Sequence, residues 1–199
     1  MKILFVCLGN ICRSPTAEGV FRKLASESPL AGSVEVDSAG TVGFHAGDPP
    51  DPRSIEHAAL RGVDLRGLRA REVIAADFND FDHVIAMDER NVAHLKSICP
   101  ARHIGKIKLL LAFADTCKLR EVPDPYHGAA GDFELVLDVI EEGSRGLVNY
   151  LVDQQSVATA EHAEFAQSVK GHKGQYVRRY AFSRRVREDF RGDDRHRES

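Results

Sequence analysis

The chain has 199 residues, of which 43 % are hydrophobic and 29 % charged, with a formal net charge of -3. That length suits one well-buried α/β domain with an appendage rather than two full domains, and the composition excludes disorder throughout. With no basic excess, the chain as a whole has no general attraction to nucleic acid or membranes. Four cysteines, Cys7, Cys12, Cys99 and Cys117, are too few for a secreted disulfide scaffold and form no C-x-x-C pair, so a reducing cytoplasm is the expected location.

From Lys2 to Cys7 a short continuous apolar run predicts a buried strand rather than an export signal, because Gly9, Asn10 and Arg13 interrupt it at once. Pro15 suits the first turn of a helix, and Ala17, Val20, Phe21 and Leu24 then recur at helical spacing. Val34 and Val36 predict a second strand over Ser33 to Asp37, followed by a Gly-, Pro- and Asp-rich loop from Ala39 to Pro52 and a helix over Arg53 to Arg61. A third strand is expected over His83 to Met87, with Asp88 capping the helix that carries Val92 and Leu95, and a fourth near Ile107 to Leu111.

After a loop from Ala112 to Ala130, the stripe Phe133, Val136, Leu137, Ile140, Leu147, Val148, Leu151 predicts a closing helix ending near Gln155. Strands alternating with helices imply an α/β, doubly wound, three-layer fold with a four-stranded parallel sheet, whose ligands bind beyond the carboxyl ends of the strands. The segment Cys7 to Ser14 lies at that edge, directly after the first strand. No run approaches the roughly 18 to 20 apolar residues that span a bilayer.

Cys7-Leu8-Gly9-Asn10-Ile11-Cys12-Arg13-Ser14 is a C-x-x-x-x-x-R-S loop between a strand and a helix N-terminus. Backbone N–H groups curled around one point make an anion nest, to which the helix end adds donors, so the loop is expected to bind phosphate through Leu8 to Arg13. Gly9 and Asn10 suit the positive φ values of tight curling. In such a field a thiol ionises below its free value of about 8.5 and becomes a nucleophile, the role expected of Cys7. Arg13 offers a planar fork for two phosphoryl oxygens, and Ser14 either donates to the sulfur or caps the helix. Alone the spacing is weak; the strand-loop-helix context makes it specific.

This signature, C-L-G-N-I-C-R-S-P from Cys7 to Pro15, resembles that of the low-molecular-weight protein tyrosine phosphatases, as do Asp37 to Thr41, Pro49 to Arg53, Met87 to Asn91 and Asp124-Pro125-Tyr126. The resemblance covers about residues 1–155. It implies hydrolysis of phosphotyrosine in protein substrates through a cysteinyl phosphate, with no metal or other cofactor, and with Asp124 as general acid and then base. It also implies a substrate cleft of Leu8, Ile11, Phe44 and Tyr126, a supporting network of Asn10 and Ser38, a reversible disulfide between Cys7 and Cys12, and a tyrosine kinase as an opposing partner. Ile11 favours phosphotyrosine over phosphoarginine, since threonine there goes with arginine phosphate in relatives. Two positions depart from the pattern: Leu68, where the family often has histidine, and His127, where it often has a second aromatic.

Two other readings fit the loop less well. An arsenate reductase of the same fold needs further closely paired cysteines, which Cys99 and Cys117 do not form, and a noncatalytic phosphoprotein-binding module should lack Cys7, Arg13 or Asp124. Residues 156–199 are expected to be a basic C-terminal extension outside the resemblance. Its Lys170, Lys173, Arg178, Arg179, Arg184, Arg185 and Arg187 surround Tyr176, Tyr180 and Phe182, a pattern read chiefly as a solvated face, with nucleic acid or anionic lipid as the less favoured contacts.

Overall fold

The apolar run after Met1 becomes the central strand of the sheet. A computed structural model of the chain describes residues 1–171, with side chains as far as residue 160 apart from position 158. The elements are β1 (Lys2–Cys7), α1 (Arg13–Ser26), β2 (Glu35–Gly40), α2 (Pro52–Leu60), α3 (Asp77–Asp80), β3 (His83–Ala86), α4 (Glu89–Ile98), β4 (Ile107–Leu109) and α5 (Ala130–Gly171). The four strands lie parallel in the order β2-β1-β3-β4.

Because alternate side chains of a strand face opposite ways, β1 feeds two cores. Ile3, Phe5 and Cys7 pack with Ala17 and Phe21 of α1 and Val136 and Ile140 of α5, while Leu4 and Val6 pack with Phe78 of α3 and with Val92 and Leu95 of α4. These are the three layers the alternating pattern predicts. A strand buried on both faces reads as an unbroken apolar run, which is why β1 shows no polar alternation.

Several boundaries differ from expectation. β2 begins and ends later than Ser33 to Asp37, since its register against β1 runs from Lys2↔Glu35 to Cys7↔Gly40 and so draws Ser38, Ala39 and Gly40 into the sheet. β4 is three residues long and gives way to a 3-10 turn over Leu110–Phe113. α3 has no periodic signal at four residues. The stripe from Phe133 to Leu151 is buried as expected, but the helix does not end near Gln155; its backbone continues to Gly171, through an Ala-rich stretch with no Gly or Pro to stop it. Within α5, Gly146 is required by close approach: a Cβ there would meet Phe113 O at 1.8 Å.

Met1–Val152 forms one compact unit and a second begins at Asp153. Tyr176, Tyr180, Phe182 and the arginines beyond them lie outside the described residues. Among the described residues, no helix is long and apolar enough to cross a membrane.

Candidate active site

Cys7 is the last residue of β1 and is 3 % exposed. The chain turns sharply after it, and Asn10 takes φ 55°, the left-handed region that asparagine tolerates better than most side chains. That turn brings Asn10 N–H back to Cys7 Sγ at 3.3 Å and Ser14 Oγ to 3.0 Å from the same sulfur. Gly9, expected to share the positive φ, does not; its smallness serves instead the approach of His45, whose ring carbon would lie 3.2 Å from a Cβ.

The carbonyls of the loop are tied into the protein. Cys7 O accepts from Thr41 N–H, Leu8 O from Val42 N–H, Ile11 O from Asp51 N–H at 2.7 Å, and Cys12 O from Thr16 N–H and the Thr16 hydroxyl. In a trans peptide the N–H points opposite to the preceding carbonyl. The N–H groups of Leu8, Gly9, Cys12 and Arg13 are therefore turned away from these supports. Gly40 lies against this loop: a Cβ there would come within 2.8 Å of Leu8 O.

Behind the loop runs a buried polar chain. Asn10 Nδ2 donates to Ser14 Oγ and to Ser38 Oγ, each at 2.9 Å, while Asn10 Oδ1 accepts from Arg71 N–H, also at 2.9 Å. Ser38 in turn donates to Glu18 Oε2 at 2.7 Å, and Glu18 pairs with Arg22. Ser14 is thus not a helix cap; the α1 N-cap is Cys12, with no side-chain capping bond.

Arg13, almost wholly buried, is gripped by two carboxylates. Nη1 donates to Asp88 Oδ2 at 2.6 Å and to Val122 O at 3.2 Å, and Nη2 donates to Asp124 Oδ2 at 2.9 Å. Burial opposes its charge, yet the Cys7 sulfur, Asp124 and Asp88 hold the guanidinium above the ordinary arginine value. The loop bearing Asp124 is fixed to the sheet edge by Val122 N–H donating to Met87 O at 2.8 Å. Asp124 itself stays exposed, its side chain 44 % accessible.

These groups open into a cleft of about 240 Å³ whose walls include Cys7, Arg13, Asp124 and the apolar Leu8, Ile11, Phe44 and Tyr126. Leu8, Phe44 and Tyr126 form an exposed rim. Val42, His45 and His127 complete it. Arg53 steadies one side: it pairs with Asp51, donates to Tyr126 O at 3.0 Å and lies over the Phe133 ring. An open cleft with Cys7 and Arg13 in its wall and an apolar rim is suited to a phosphate carried on an aromatic ring.

The model of the family described as low molecular weight phosphotyrosine protein phosphatase matches residues 2–158. The chain belongs to this family. It is a hydrolase whose family activity is removal of phosphate from phosphotyrosine. It is 43 % identical over 148 residues to the Bacillus subtilis low molecular weight protein-tyrosine-phosphatase YfkJ, covering 74 % of this chain and 94 % of that protein. It is 42 % identical to the Homo sapiens low molecular weight phosphotyrosine protein phosphatase, covering 68 % and 85 %. Among solved structures, a protein tyrosine phosphatase from Entamoeba histolytica superposes with a TM-score of 0.76 at 39 % identity, covering 78 % of this chain and 99 % of that one.

In this phosphatase the residues singled out from sequence fall into one place. Cys7, Arg13, Asp124, Leu8, Ile11, Phe44 and Tyr126 line the cleft, with Asn10, Ser14 and Ser38 behind it. Leu68 packs against the core and contributes no polar group. Cys7 and Cys12 are both free thiols, and burial, reinforced by the nearby Asp51, pushes the Cys12 thiol up to about 12. Cys99 and Cys117 are partly buried free thiols.

Four contributors went unread. Asp88 is the helix cap expected of it, through a capping box with Asn91, and it also holds Arg13. The backbone N–H of Arg71, the carbonyl of Val122 and the carboxylate of Glu18 carry no periodic or spacing signal. Among the described residues no group of three or more His, Cys, Asp or Glu is placed to hold a metal ion.

Proposed function

We propose that the chain hydrolyses aryl phosphate monoesters, phosphotyrosine in proteins above all, through a phosphocysteine. The Cys7 thiolate attacks phosphorus as the bond to the phenolic oxygen breaks, and Asp124, protonated, gives its proton to that oxygen. Water then attacks the phosphocysteine, surrendering a proton to Asp124, and Cys7 leaves as thiolate. The N–H groups from Leu8 to Arg13 and the Arg13 fork hold the equatorial oxygens in both steps, and the Ser14 hydroxyl stabilises sulfur as attacker and leaving group. Leu8, Ile11, Phe44 and Tyr126 take the ring.

The observation that carries this reading is the meeting of Cys7, Arg13 and Asp124 in one cleft, although 111 positions separate Arg13 from Asp124. Apart from the attacking water, every group named in the two steps is a side chain or backbone N–H of this chain. We assign the activity to residues 1–155 and treat 156–199 as an appendage; a tyrosine kinase, which makes the substrate bond, is the chemical counterpart.

The test compares wild type with Cys7→Ser on an aryl phosphate, with phosphoserine and phosphoarginine peptides alongside. Turnover of the aryl ester by wild type in the presence of chelator, and none by the variant, is the expected outcome. Turnover that survives the substitution, or a preference for the alkyl or guanidino phosphate, overturns it. Truncation after Gln155 should leave kcat/KM on the aryl ester unchanged.

A further inference from the structure

We infer that Glu18 is a positioning residue of this reaction, anchoring through Ser38 the Asn10 side chain in the hydrogen-bond chain that ends on Cys7. The inference rests on the phosphocysteine reading above and deepens it. Each donor in the chain can be assigned by elimination. Asn10 Oδ1 is claimed by Arg71 N–H, so the amide cannot flip, and both protons of Nδ2 point outward, one to Ser14 Oγ and one to Ser38 Oγ.

Ser38 has a single hydroxyl proton. Having accepted from Asn10, it can stay buried only by donating to Glu18 Oε2, 2.7 Å away; an ionised carboxylate accepts and never donates. Ser14, having likewise accepted from Asn10, has one proton left, with Cys7 Sγ at 3.0 Å and Ala39 O at 3.2 Å as its choices. An anionic sulfur takes it. Glu18 therefore turns the Ser38 hydroxyl so that its oxygen lone pairs face Asn10, and through Ser38 it anchors the side chain of the left-handed residue that shapes the loop and donates to Ser14.

The setting of Glu18 fits this role. It is 3 % exposed, on a helix that presents Arg22 to it from one turn further on, with Ser38 facing it from β2 and the charge of Asp37, itself paired with Arg71, more distant. Burial raises its carboxyl above the ordinary glutamate value, while Ser38 and Arg22 draw it back. A buried acid is costly to keep unless its partners need it.

The experiment uses the full-length chain and reads two quantities, turnover of an aryl phosphate and the rate of Cys7 alkylation by iodoacetate across pH. Alkylation needs no substrate, so it tests the chain of bonds even where the hydrolytic reading fails. Glu18→Gln and Ser38→Ala should each lower kcat by about tenfold, the scale of one charge-assisted hydrogen bond, and move the alkylation profile to higher pH. Because both act through one chain, Glu18→Gln with Ser38→Ala should be no slower than the worse single variant. Losses that multiply, or an unmoved alkylation profile in both single variants, overturn the proposal. If Glu18→Gln does not fold, Glu18→Asp, which keeps the charge but shortens the reach to Ser38, decides it by the alkylation profile.

Discussion

Asp88 does two jobs with its two oxygens: Oδ1 accepts the N–H of Asn91 at 2.7 Å to cap α4, and Oδ2 holds Arg13 Nη1 at 2.6 Å. The helix start and the phosphate clamp thus share one carboxylate. Asparagine caps helices about as well as aspartate but brings no charge to Arg13. Asp88→Asn should therefore keep stability within about 0.5 kcal/mol while weakening inhibition by inorganic phosphate, whereas Asp88→Ala should lose about 1 kcal/mol as well. Urea midpoints and phosphate inhibition constants separate the two functions; equal stability losses in both variants would show that the cap depends on charge.

Asp124 is exposed and paired with Arg13, and its loop is tied to the sheet through Val122 N–H on Met87 O. As proton donor to the leaving oxygen it matters most when that oxygen is basic. Asp124→Ala should slow a poor leaving group by ~100 to 10,000-fold and an activated aryl ester far less. A series of substituted phenyl phosphates reads this as a steeper dependence of kcat on leaving-group pKa. A parallel drop across the series assigns Asp124 to binding instead.

Asn10 combines a left-handed backbone with four hydrogen bonds, one from its own N–H and three from its side chain. Asn10→Gly removes the side chain but keeps the backbone at ease; Asn10→Ala removes it and adds strain. Alanine should be less stable than glycine by roughly 1 to 2 kcal/mol, while both lose about tenfold or more in kcat. Thermal melts and steady-state rates on the same samples check the separation.

Asp51 accepts from Arg53 N–H at the start of α2, pairs with the Arg53 guanidinium and donates its own N–H to Ile11 O. The Arg53 side chain holds its carboxyl below the ordinary aspartate value. A group depressed in the folded state stabilises above its unfolded pKa and loses that contribution as pH falls through the folded value. Wild type should therefore exceed Asp51→Asn by about 1 kcal/mol at neutral pH, with the gap closing below the ordinary value of 3.8. Urea midpoints at several pH values measure it, and a gap independent of pH would assign the effect to packing.

Periodicity and punctuation made most of this architecture legible. The unbroken apolar run of β1 and the stripe of α5 each follow from burial, and burial is what these patterns record. Local chemistry located the loop, because Cys7 and Arg13 lie in one segment whose turn is set by its own residues. Asp124 was reached only through resemblance, since Asp-Pro-Tyr is an ordinary turn until the sheet brings it to Arg13. Glu18, Arg71 and the second role of Asp88 were hidden for the same reason. Their partners are 20, 61 and 75 positions away, and only the register Phe5↔Ser38 and the end of β3 bring them close. The overrun of α5 past Gln155 is a different failure: loss of an apolar stripe ends burial, but it does not end a helix in a stretch rich in alanine.

The central place of β1 has a kinetic corollary. Its neighbours in the sheet are β2 on one side and β3 on the other, and the latter arrives some eighty residues later in the chain. Long loops must close before those pairings are rewarded, so sheet completion is a late event in refolding. Until it occurs the Cys7 segment has no Ser38, no Asp88 and no Val122 against which to take shape, and recovery of enzymatic competence after dilution from denaturant should coincide with the slowest conformational phase rather than with helix formation.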